Sequence, residues 1–403
     1  MSVLRIRDVR LIVGAVGLSA VGDAVLWILL SFHIATTAGS ALAVSAMFVC
    51  LWGPVVALGG VAGRIVDRYE NRRLLIGVSL AQAGVVVAMA LAAGSLPALL
   101  GLCVLLGAGV AVSSPAEFAL LPAAAGEDRI GAANGHVEAA RSIGMTAGPL
   151  LGGVLAAAGS IRIGLLIDAV SFLAVAGAGI ALHARRAPRP SVEGRARARE
   201  GIGVLLAADR ALAIALAAAI GALLFFTISV SAEVFFASDV LGTGAAGYGV
   251  LMSAWTLGMV AGAVGLAPLV PRRGLAIAAL AGVALQGAGL LGAAAGATMA
   301  LALLGLAVGG TAHGVKNVVL RTLIHERVPD ELRGRAFSAY NAARNGAELG
   351  ALGAGGVLVG VLGAQQALAL SGAIPLAIAL AALLLLARRD PAVSRTPAYA
   401  HDA

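Results

Sequence analysis

Residues 41–94 read ALAVSAMFVCLWGPVVALGGVAGRIVDRYENRRLLIGVSLAQAGVVVAMALAAG, and the fold depends on the pattern in this stretch. Two apolar runs flank a short basic loop, and the second run, from Leu74 to Ala93, carries no charged residue. About 20 apolar residues in a helix are long enough to cross the hydrocarbon core of a bilayer. The stretch therefore predicts two membrane-spanning helices joined by a hydrophilic loop on one side of the membrane.

The same pattern continues along the whole chain of 403 residues. Hydrophobic residues make up 60% of the sequence and charged residues 12%, whereas about a quarter of the residues of a soluble domain are charged. The mean hydropathy is +0.98. We therefore predict an all-α membrane protein with twelve transmembrane helices, at residues 11–35, 41–63, 74–94, 97–119, 134–158, 163–183, 207–236, 245–269, 274–294, 297–320, 336–360 and 366–387.

The basic residues predict the orientation of the helices. Nearly all loop arginines fall on one side together with both termini, and the other side holds essentially only Arg162. Because cytoplasmic loops are enriched in Arg and Lys, both termini are predicted to lie in the cytoplasm. A long basic segment separates six spans from six. The predicted domains are an N-terminal half (1–183), a cytoplasmic linker (184–206), a C-terminal half (207–388) and a cytoplasmic tail (389–403).

The two halves resemble each other at an offset of 203 residues. The segment Ala139-Ala140-Arg141 aligns with Ala342-Ala343-Arg344, and Gly152-Gly153-Val154-Leu155 aligns with Gly355-Gly356-Val357-Leu358. Duplicated halves that run in parallel are a transporter architecture, in which the substrate site lies between the halves near the membrane midplane. The repeat therefore predicts two pseudo-symmetric six-helix halves.

The sequence does not support several other classes of function. The formal net charge of +8 does not indicate nucleic-acid binding, because the basic residues lie in short loops beside apolar runs. Cys50 and Cys103 lie inside separate spans without metal-ligand neighbours. No glycine-rich loop ends in Lys-Ser or Lys-Thr, and no Ser/His/Asp set is apparent. We therefore expect no enzyme activity, no metal and no cofactor, and either an ion gradient or the gradient of the substrate itself as the energy source.

The loop after the second span reads Gly63-Arg64-Ile65-Val66-Asp67-Arg68-Tyr69-Glu70-Asn71-Arg72-Arg73. It resembles the G-x-x-x-D-R-x-x-R-R signature of the major facilitator superfamily, although the usual glycine after Asp-Arg-x is absent. The resemblance implies that Asp67 caps the eleventh helix and that Arg68 pairs with an acid of the fourth span, such as Glu117. A basic loop with incidental acids is the alternative. The implied conformational latch consists of Gly63, Asp67, Arg68, Arg72, Arg73 and Glu117.

The fifth span carries a second motif, formed by Gly135, Gly144, Gly148, Pro149, Gly152 and Gly153. Its spacing is similar to the antiporter motif of the same superfamily, which is typical of exporters rather than importers. Small residues at such steps allow close helix approach, and Pro149 kinks the helix at a carbonyl that neighbouring groups can satisfy. An ordinary packing face is the alternative interpretation.

Further stretches resemble the drug/macrolide and siderophore (enterobactin-type) efflux branch of the superfamily, so that the resemblance covers nearly the whole chain. They are Ser19-x-x-Gly22-Asp23, Ser114-Pro115-Ala116, Gly244 to Gly249 and Pro329 to Arg335. The chain departs from the wider superfamily in one respect. The fourth span lacks the arginine that is often found midway along it in proton-coupled drug exporters.

Ionisable residues inside a membrane span are costly to bury and are therefore candidate functional residues. Asp23 lies near the middle of the first span, where loss of hydration favours a carboxyl group that can exchange a proton; a structural hydrogen bond is the alternative. Glu233 in the seventh span is the second proton or substrate candidate; an interfacial position near the outer end of the span is the alternative. Arg344 and Glu348, also proton or substrate candidates, are four residues apart in the eleventh span and can pair on one helix face. This pairing favours a structural or gating role over contact with the substrate.

Three further polar residues are expected to have structural roles. Asp168 is expected near the outer end of the sixth span. Lys316, the only lysine, is expected to extend its amine toward the cytoplasm. Gln286 is expected to link neighbouring helices through hydrogen bonds.

These observations lead to the hypothesis of a monomeric, proton-coupled antiporter in the cytoplasmic membrane that exports small amphipathic or hydrophobic molecules. The resemblance implies that the first, fourth, seventh and tenth spans line a central cavity. An aromatic content of 4% favours an apolar and loosely specific pocket. The alternatives are an importer or uniporter of the same fold, or a membrane receptor or assembly protein that does not transport.

Overall fold

The structure is a computed structural model that describes residues 3–159, 161–186, 203, 205 and 209–388. The predicted linker (184–206) is thus described only in part, and the predicted tail (389–403) lies outside the described residues. In these ranges the chain forms twelve long helices and no strand: α1 (Arg7–Ala38), α2 (Ala41–Arg68), α3 (Asn71–Leu91), α4 (Leu96–Ala125), α5 (Ile130–Ala157), α6 (Ile161–Ala181), α7 (Arg210–Val240), α8 (Gly244–Leu269), α9 (Arg272–Gly296), α10 (Met299–Arg327), α11 (Asp330–Leu362) and α12 (Ala364–Ala387).

Eleven of these described helices are long and apolar enough to cross a membrane. The exception is α5, which is 28 residues long but contains Glu138, Arg141 and the glycines of the second motif. This helix packs along α1 and crosses α8, so its less apolar surface is partly covered by other helices. The predicted all-helical architecture of two six-helix halves is confirmed.

The helices extend beyond the predicted spans at one face of the bundle. Helix α2 ends at Arg68 rather than at residue 63, and α11 begins at Asp330 rather than at residue 336. The predictions followed the apolar runs, whereas helical hydrogen bonding continues into polar residues at the membrane surface. We call this face, which carries Arg7, Arg72 and Arg388, the basic face. The face that carries Gly39, Ser95 and Gly363 is the opposite face.

Short, well-capped turns join helices at the opposite face. Gly39 ends α1 in the left-handed conformation, with φ of 58°, and its N–H donates to the Ala35 carbonyl oxygen. The Ser40 hydroxyl then begins α2 by accepting a hydrogen bond from the Ala43 N–H. Because glycine adopts positive φ without a steric penalty, Gly39 allows α1 and α2 to reverse direction within two residues.

Glycine contacts follow the internal repeat. A Cβ atom placed on Gly152 of α5 would lie 3.1 Å from the Val25 carbonyl oxygen of α1. One placed on Gly355 of α11 would lie 3.5 Å from the Ile228 carbonyl oxygen of α7. Both members of the second pair come 203 residues after their counterparts. The two halves therefore use the same helix crossing.

The apolar cores show where the two halves are joined. One core cluster contains buried side chains from both halves, among them Ile28, Met47, Phe236 and Leu352. Toward the basic face the core divides into one cluster from the N-terminal half and a separate cluster that begins at Leu205. The space between the halves is therefore closed at the opposite face and widens toward the basic face.

Two glycine-lined crossings close the opposite face. Where α11 meets α2, a Cβ atom on Gly356 would lie 2.6 Å from the Ala41 carbonyl oxygen. Where α5 meets α8, a Cβ atom on Gly153 would lie 3.0 Å from the Gly249 Cα atom. Small residues let helix backbones approach this closely in membranes. The closure therefore depends on the absence of side chains at these positions.

We expect Gly356→Val to open the opposite face. Its side chain would collide with the α2 backbone, and overpacking typically costs about 1–3 kcal/mol, which favours states in which α2 and α11 separate. The matched control is Gly360→Val, because a Cβ atom at Gly360 has nothing within 4 Å.

An impermeant maleimide added from the opposite face provides the readout. It would label a cysteine introduced at Val230, which lines the cavity between the halves, in a chain without Cys50 and Cys103. Labelling should rise in Gly356→Val and stay unchanged in Gly360→Val. Equal labelling in the two variants would contradict the role of this crossing.

Candidate functional site

A cavity of about 540 Å³ lies between the two halves. It falls within the size range of drug-sized ligand sites. The first, seventh and tenth helices contribute to its lining as expected, and so do α2, α5, α8 and α11. Helix α4 does not line this central cavity, which corrects the expectation, because α4 faces a separate space inside the N-terminal half. The lining includes Trp27, Trp52, Met145, Phe226, Glu233, Met252, Trp255, His313, Arg344 and Glu348.

All three tryptophans of the chain line the central cavity. Trp27 and Trp52 form an edge-to-face pair with ring centroids 5.4 Å apart. Trp255 stacks on Phe226 at 5.1 Å with an angle of 21° between the rings, and His313 lies 5.5 Å from both of them. The low aromatic content of the chain did not predict this, because the few large rings are concentrated at one place.

The charged groups of the central cavity differ in their partners. Arg344 donates two hydrogen bonds, of 3.0 and 2.8 Å, to the Glu348 Oε1 atom, so this ion pair is neutral as a whole. Glu233 is 7% exposed, and its Oε1 atom accepts a hydrogen bond of 2.9 Å from the Ser229 hydroxyl. The described partner of Glu233 is thus uncharged. Within the described ranges no three His, Cys, Asp or Glu side chains are grouped as metal ligands.

A second cavity, of about 270 Å³, lies inside the N-terminal half. Asp23 of α1, Glu117 of α4 and Arg141 of α5 line it. The rings of Trp27 and Trp52 line both cavities, so the tryptophan pair forms the wall between them. Asp23 therefore lies beside the central cavity rather than in it.

Arg141 supplies the positive charge of the N-terminal cavity. Its guanidinium lies 3.8 Å from the Glu117 carboxylate and 3.9 Å from the Glu138 carboxylate. It also lies 5.6 Å from the centroid of the Phe118 ring. In this structure Glu117 pairs with Arg141 rather than with Arg68, because Glu117 faces the cavity and α5. The arginine beside Glu117 therefore belongs to α5.

Asp168 lies deeper in the bundle than expected. It is fully buried, and its Oδ1 atom accepts a hydrogen bond of 3.1 Å from the Ser171 hydroxyl. In the part of the chain that the structure describes, its Oδ2 atom has no hydrogen-bond partner. A Cβ atom on Gly22 would collide with the carboxylate. The small size of Gly22 therefore lets Asp168 pack against α1 next to Asp23, which corrects the predicted location at the outer end.

Lys316 does not extend toward the membrane surface as predicted. It is 5% exposed, and its Nζ atom donates a hydrogen bond of 3.0 Å to Gln286 Oε1. The same amine lies 3.3 Å from His313 Nδ1. The prediction was wrong because partners on α9 and α10 satisfy the amine inside the C-terminal half. Gln286 links these two helices, as expected.

Asp67 lies at the basic face, but its partner differs from the predicted one. The resemblance implied that Asp67 caps α11, whereas its carboxylate lies 3.5 Å from the guanidinium of Arg186, just after α6. Because the halves are separated at this face, Asp67 meets the segment that follows its own half instead of the start of α11. The predicted contact thus does not form in this conformation.

The other latch residues lie in the N-terminal half as well. Arg72 donates hydrogen bonds to the last carbonyl groups of α6, at 2.9 Å to Gly179 and 2.8 Å to Ile180. Arg73 lies 3.1 Å from the Glu70 carboxylate. A Cβ atom on Gly63 would have nothing within 4 Å, which leaves space for another helix to approach.

We expect Arg186→Gln to favour closure of the basic face, because it releases Asp67 from its partner in the open conformation. A partly exposed ion pair contributes about 0–1 kcal/mol, so the population should shift by no more than about fivefold. Cross-linking between cysteines introduced at Gly63 and Gly334 measures the closure. Arg185→Gln, the neighbouring exposed arginine, is the control. Equal cross-linking in both variants would contradict competition for Asp67.

Four of the five motif glycines in α5 are packing positions. Cβ atoms on Gly144, Gly148 and Gly152 would lie 2.6, 2.5 and 2.9 Å from atoms of α1, and Gly153 faces α8. Pro149 lines the central cavity between them. Gly135 is exposed with nothing within 4 Å of a Cβ atom. The motif thus holds α5 against both halves at once, and Gly135 does not take part.

Two candidate functional residues were not predicted, although the sequence contains a signal for them. Trp52 and Trp255 are separated by the repeat offset of 203 residues, and both line the central cavity. A search for rare residues at that offset would have found them. Arg141 was identified only as part of the internal repeat, because no pattern in the chain places Glu117 of another helix beside it.

Comparison with known proteins supports a transporter fold. A family model described as Major Facilitator Superfamily matches residues 12–351 and, in a second match, residues 214–401. No curated protein matches the chain. Among solved structures, the nucleoside transporter NupG is similar at 13% identity and a TM-score of 0.76, with 95% of this chain and 100% of that chain covered.

Two further solved structures show the same likeness. A POT family transporter in complex with a thioalcohol-conjugated peptide has 12% identity and a TM-score of 0.74, with 94% of this chain and 96% of that chain covered. A bacterial homologue of the iron transporter ferroportin in the inward-facing state has 14% identity and a TM-score of 0.71, with 95% and 99% covered. At these identities the likeness is one of fold alone.

Proposed function

Because the chain belongs to the Major Facilitator Superfamily, we propose that it is a secondary active exporter of small amphipathic or hydrophobic molecules. It works by alternating access as a monomer in the cytoplasmic membrane, and protons that enter the cell drive it. Its partners are the substrate, protons and the surrounding lipid bilayer. This proposal includes the efflux and antiport activities.

The central cavity is the observation that carries the proposal. It lies between the halves, and its surface consists mainly of aromatic, methionine and aliphatic side chains with few charged groups. Flexible methionines such as Met145 and Met252 adapt to ligands of different shape. Such a surface suits amphipathic and hydrophobic molecules better than strongly hydrated ones.

The charge of the two faces supports the orientation that the proposal requires. Since arginine-rich loops remain in the cytoplasm, the basic face is cytoplasmic, and the structure corresponds to a state that accepts substrate from the cytoplasm. The glycine crossings at Gly153 and Gly356 then separate while the basic face closes. In the closed state Asp67 leaves Arg186 and approaches the start of α11, as the sequence motif implies.

Asp23 is the group that we assign to proton exchange. It lies in a cavity with Glu117 and Arg141, next to the wall formed by Trp27 and Trp52. Protonation of Asp23 would remove its attraction to the nearby guanidinium of Arg141. A proton that arrives at Asp23 thus changes the charge balance around Arg141, at the helix that contacts both halves.

An importer or uniporter of the same fold is the second candidate. The structural neighbours include proteins described as nucleoside and peptide transporters, so the fold is compatible with it. The packed glycine motif of α5 favours the exporter, because this motif resembles the antiporter pattern.

Accumulation of a fluorescent lipophilic dye in cells that express the chain tests the proposal. We expect lower accumulation than in control cells and recovery when a protonophore dissipates the gradient. Higher accumulation than in the control would favour import. Unchanged accumulation of chemically different dyes, with the chain present in the membrane, would contradict an exporter of broad specificity.

A further inference from the structure

Two aromatic pairs line the central cavity, one from each half. The first pair is Trp27 with Trp52, and the second is Phe226 with Trp255. Trp52 and Trp255 are repeat-related positions on α2 and α8, so the pairs belong to corresponding places in the two halves. A planar ring system that enters the cavity meets aromatic surface from both halves. Stacking and edge-to-face contacts stabilise this arrangement by more than the burial of apolar area alone.

The charged side chains that line the cavity include one carboxylate whose described partner is uncharged. Arg344 and Glu348 neutralise each other, and His313 is hydrogen-bonded to Gln286 and lies close to Lys316. Glu233 remains with a hydroxyl as its described partner. A ligand cation placed near Glu233 therefore gains a charge partner, and the tryptophan faces attract cations as well.

We infer that the central cavity binds planar aromatic amines, with the ring system between the two aromatic pairs and the cationic group toward Glu233. This inference rests on the proposed function and names the substrate class of that site. Phe226 and Glu233 are seven residues apart on α7, which corresponds to roughly 10 Å along a helix. A ring system that contacts Phe226 thus has Glu233 within reach of a cationic substituent.

The positions of the tryptophans allow binding to be measured without transport. Because all three line the cavity, the intrinsic tryptophan fluorescence of the full chain in detergent reports on this site. The probe is 9-aminoacridine, which is planar and cationic at neutral pH. We expect saturable quenching of the tryptophan emission. Two comparison compounds each retain one feature of the probe. Acridine-9-carboxylate retains the rings without the positive charge, and tetrabutylammonium retains the positive charge without the rings.

The inference predicts that each comparison compound binds at least about tenfold more weakly, because each loses either the charge contact or the aromatic contacts. Equal affinity of acridine-9-carboxylate would overturn the role of Glu233. Equal affinity of tetrabutylammonium, measured by displacement of 9-aminoacridine, would overturn the role of the aromatic pairs. Absence of saturable quenching by 9-aminoacridine would overturn the inference as a whole.

Substitutions in the cavity test which residues bind 9-aminoacridine. Trp255→Leu should weaken 9-aminoacridine binding about tenfold, whereas Trp255→Phe, which retains the stacking surface, should restore most of the affinity. Phe32→Leu is the control, because Phe32 packs against the core outside the cavity. Equal loss in Trp255→Leu and Trp255→Phe would show a packing role only, and no loss in Trp255→Leu would exclude this ring from binding.

Glu233→Gln tests the charge contact with the ligand. It should weaken 9-aminoacridine about tenfold and leave the affinity for acridine-9-carboxylate unchanged or higher. Equal weakening of both compounds would point to a damaged fold and overturn the charge assignment. Binding without transport would contradict the proposed function and leave the inference intact. Dye export without quenching by 9-aminoacridine would contradict the inference alone.

Discussion

Replacement of Asp23 by asparagine should reduce proton-driven export to the level of membranes without the protein. The amide has nearly the same shape as the carboxyl group but cannot take up and release a proton, so position 23 would no longer change its charge in the cavity that it shares with Glu117 and Arg141. Substrate exchange between equal concentrations on both sides should persist, because it requires no net proton movement. Purified protein in vesicles with an imposed pH difference provides the measurement.

Glu138→Gln is the matched control for this experiment. Glu138 is on the same charge network, 3.9 Å from Arg141, but its side chain is 68% exposed. An exposed carboxylate is well hydrated and contributes little, so this variant should retain most of the proton-driven export. Full proton-driven activity in Asp23→Asn, or equal losses in both variants, would contradict the assignment of the proton to Asp23.

Gly148→Val should strongly destabilise the N-terminal half. A Cβ atom at Gly148 would lie 2.5 Å from the Ala24 Cβ atom and 2.8 Å from the Val21 carbonyl oxygen, so α5 and α1 would have to separate. Overpacking of this kind costs about 1–3 kcal/mol. The buried thiol of Cys103, which is 0% exposed, reports unfolding when a thiol-reactive dye gains access on heating. We expect reaction at a lower temperature than in the parent protein.

The matched control for this variant lies in the same helix. Gly135 belongs to the same sequence motif, yet a Cβ atom there has nothing within 4 Å. Gly135→Val should therefore leave the unfolding temperature nearly unchanged, since valine and glycine have broadly similar and poor helix propensities. A similar decrease in both variants would mean that the motif acts through helix propensity rather than through the contact with α1.

The fold was predictable because it depends on a simple physical constraint. Apolar runs of membrane length, basic loops on one side and a repeat offset of 203 residues predict helices, their number and the duplication. Helix ends at the basic face were not predictable in the same way, since polar residues such as those before Arg68 continue the helix outside the apolar run. The fifth span was predicted at 134–158 together with the others, although α5 contains Glu138 and Arg141 and is the exception to the eleven apolar helices.

The partners of the candidate residues were less predictable than the residues themselves. Spacing along one helix predicted the contact between Arg344 and Glu348, because that contact is local. The contacts of Glu117 with Arg141 and of Asp67 with Arg186 are not local. They depend on how helices rotate about their axes and on which face of the protein is open. A single sequence contains no information of that kind unless the repeat relates the two positions, as it does for Trp52 and Trp255.

The most direct test of the account is transport by the purified chain in vesicles with a pH difference of either sign. With 9-aminoacridine excluded because it responds to pH itself, a neutral lipophilic dye serves as the substrate. Transport is followed from the compartment that the basic face contacts to the other one. The account predicts that the dye leaves the compartment at the basic face when the compartment at the opposite face is more acidic. In return, protons enter and acidify the compartment at the basic face. Dye movement that is indifferent to the sign of the pH difference, with no accompanying proton flux, would contradict proton-driven export.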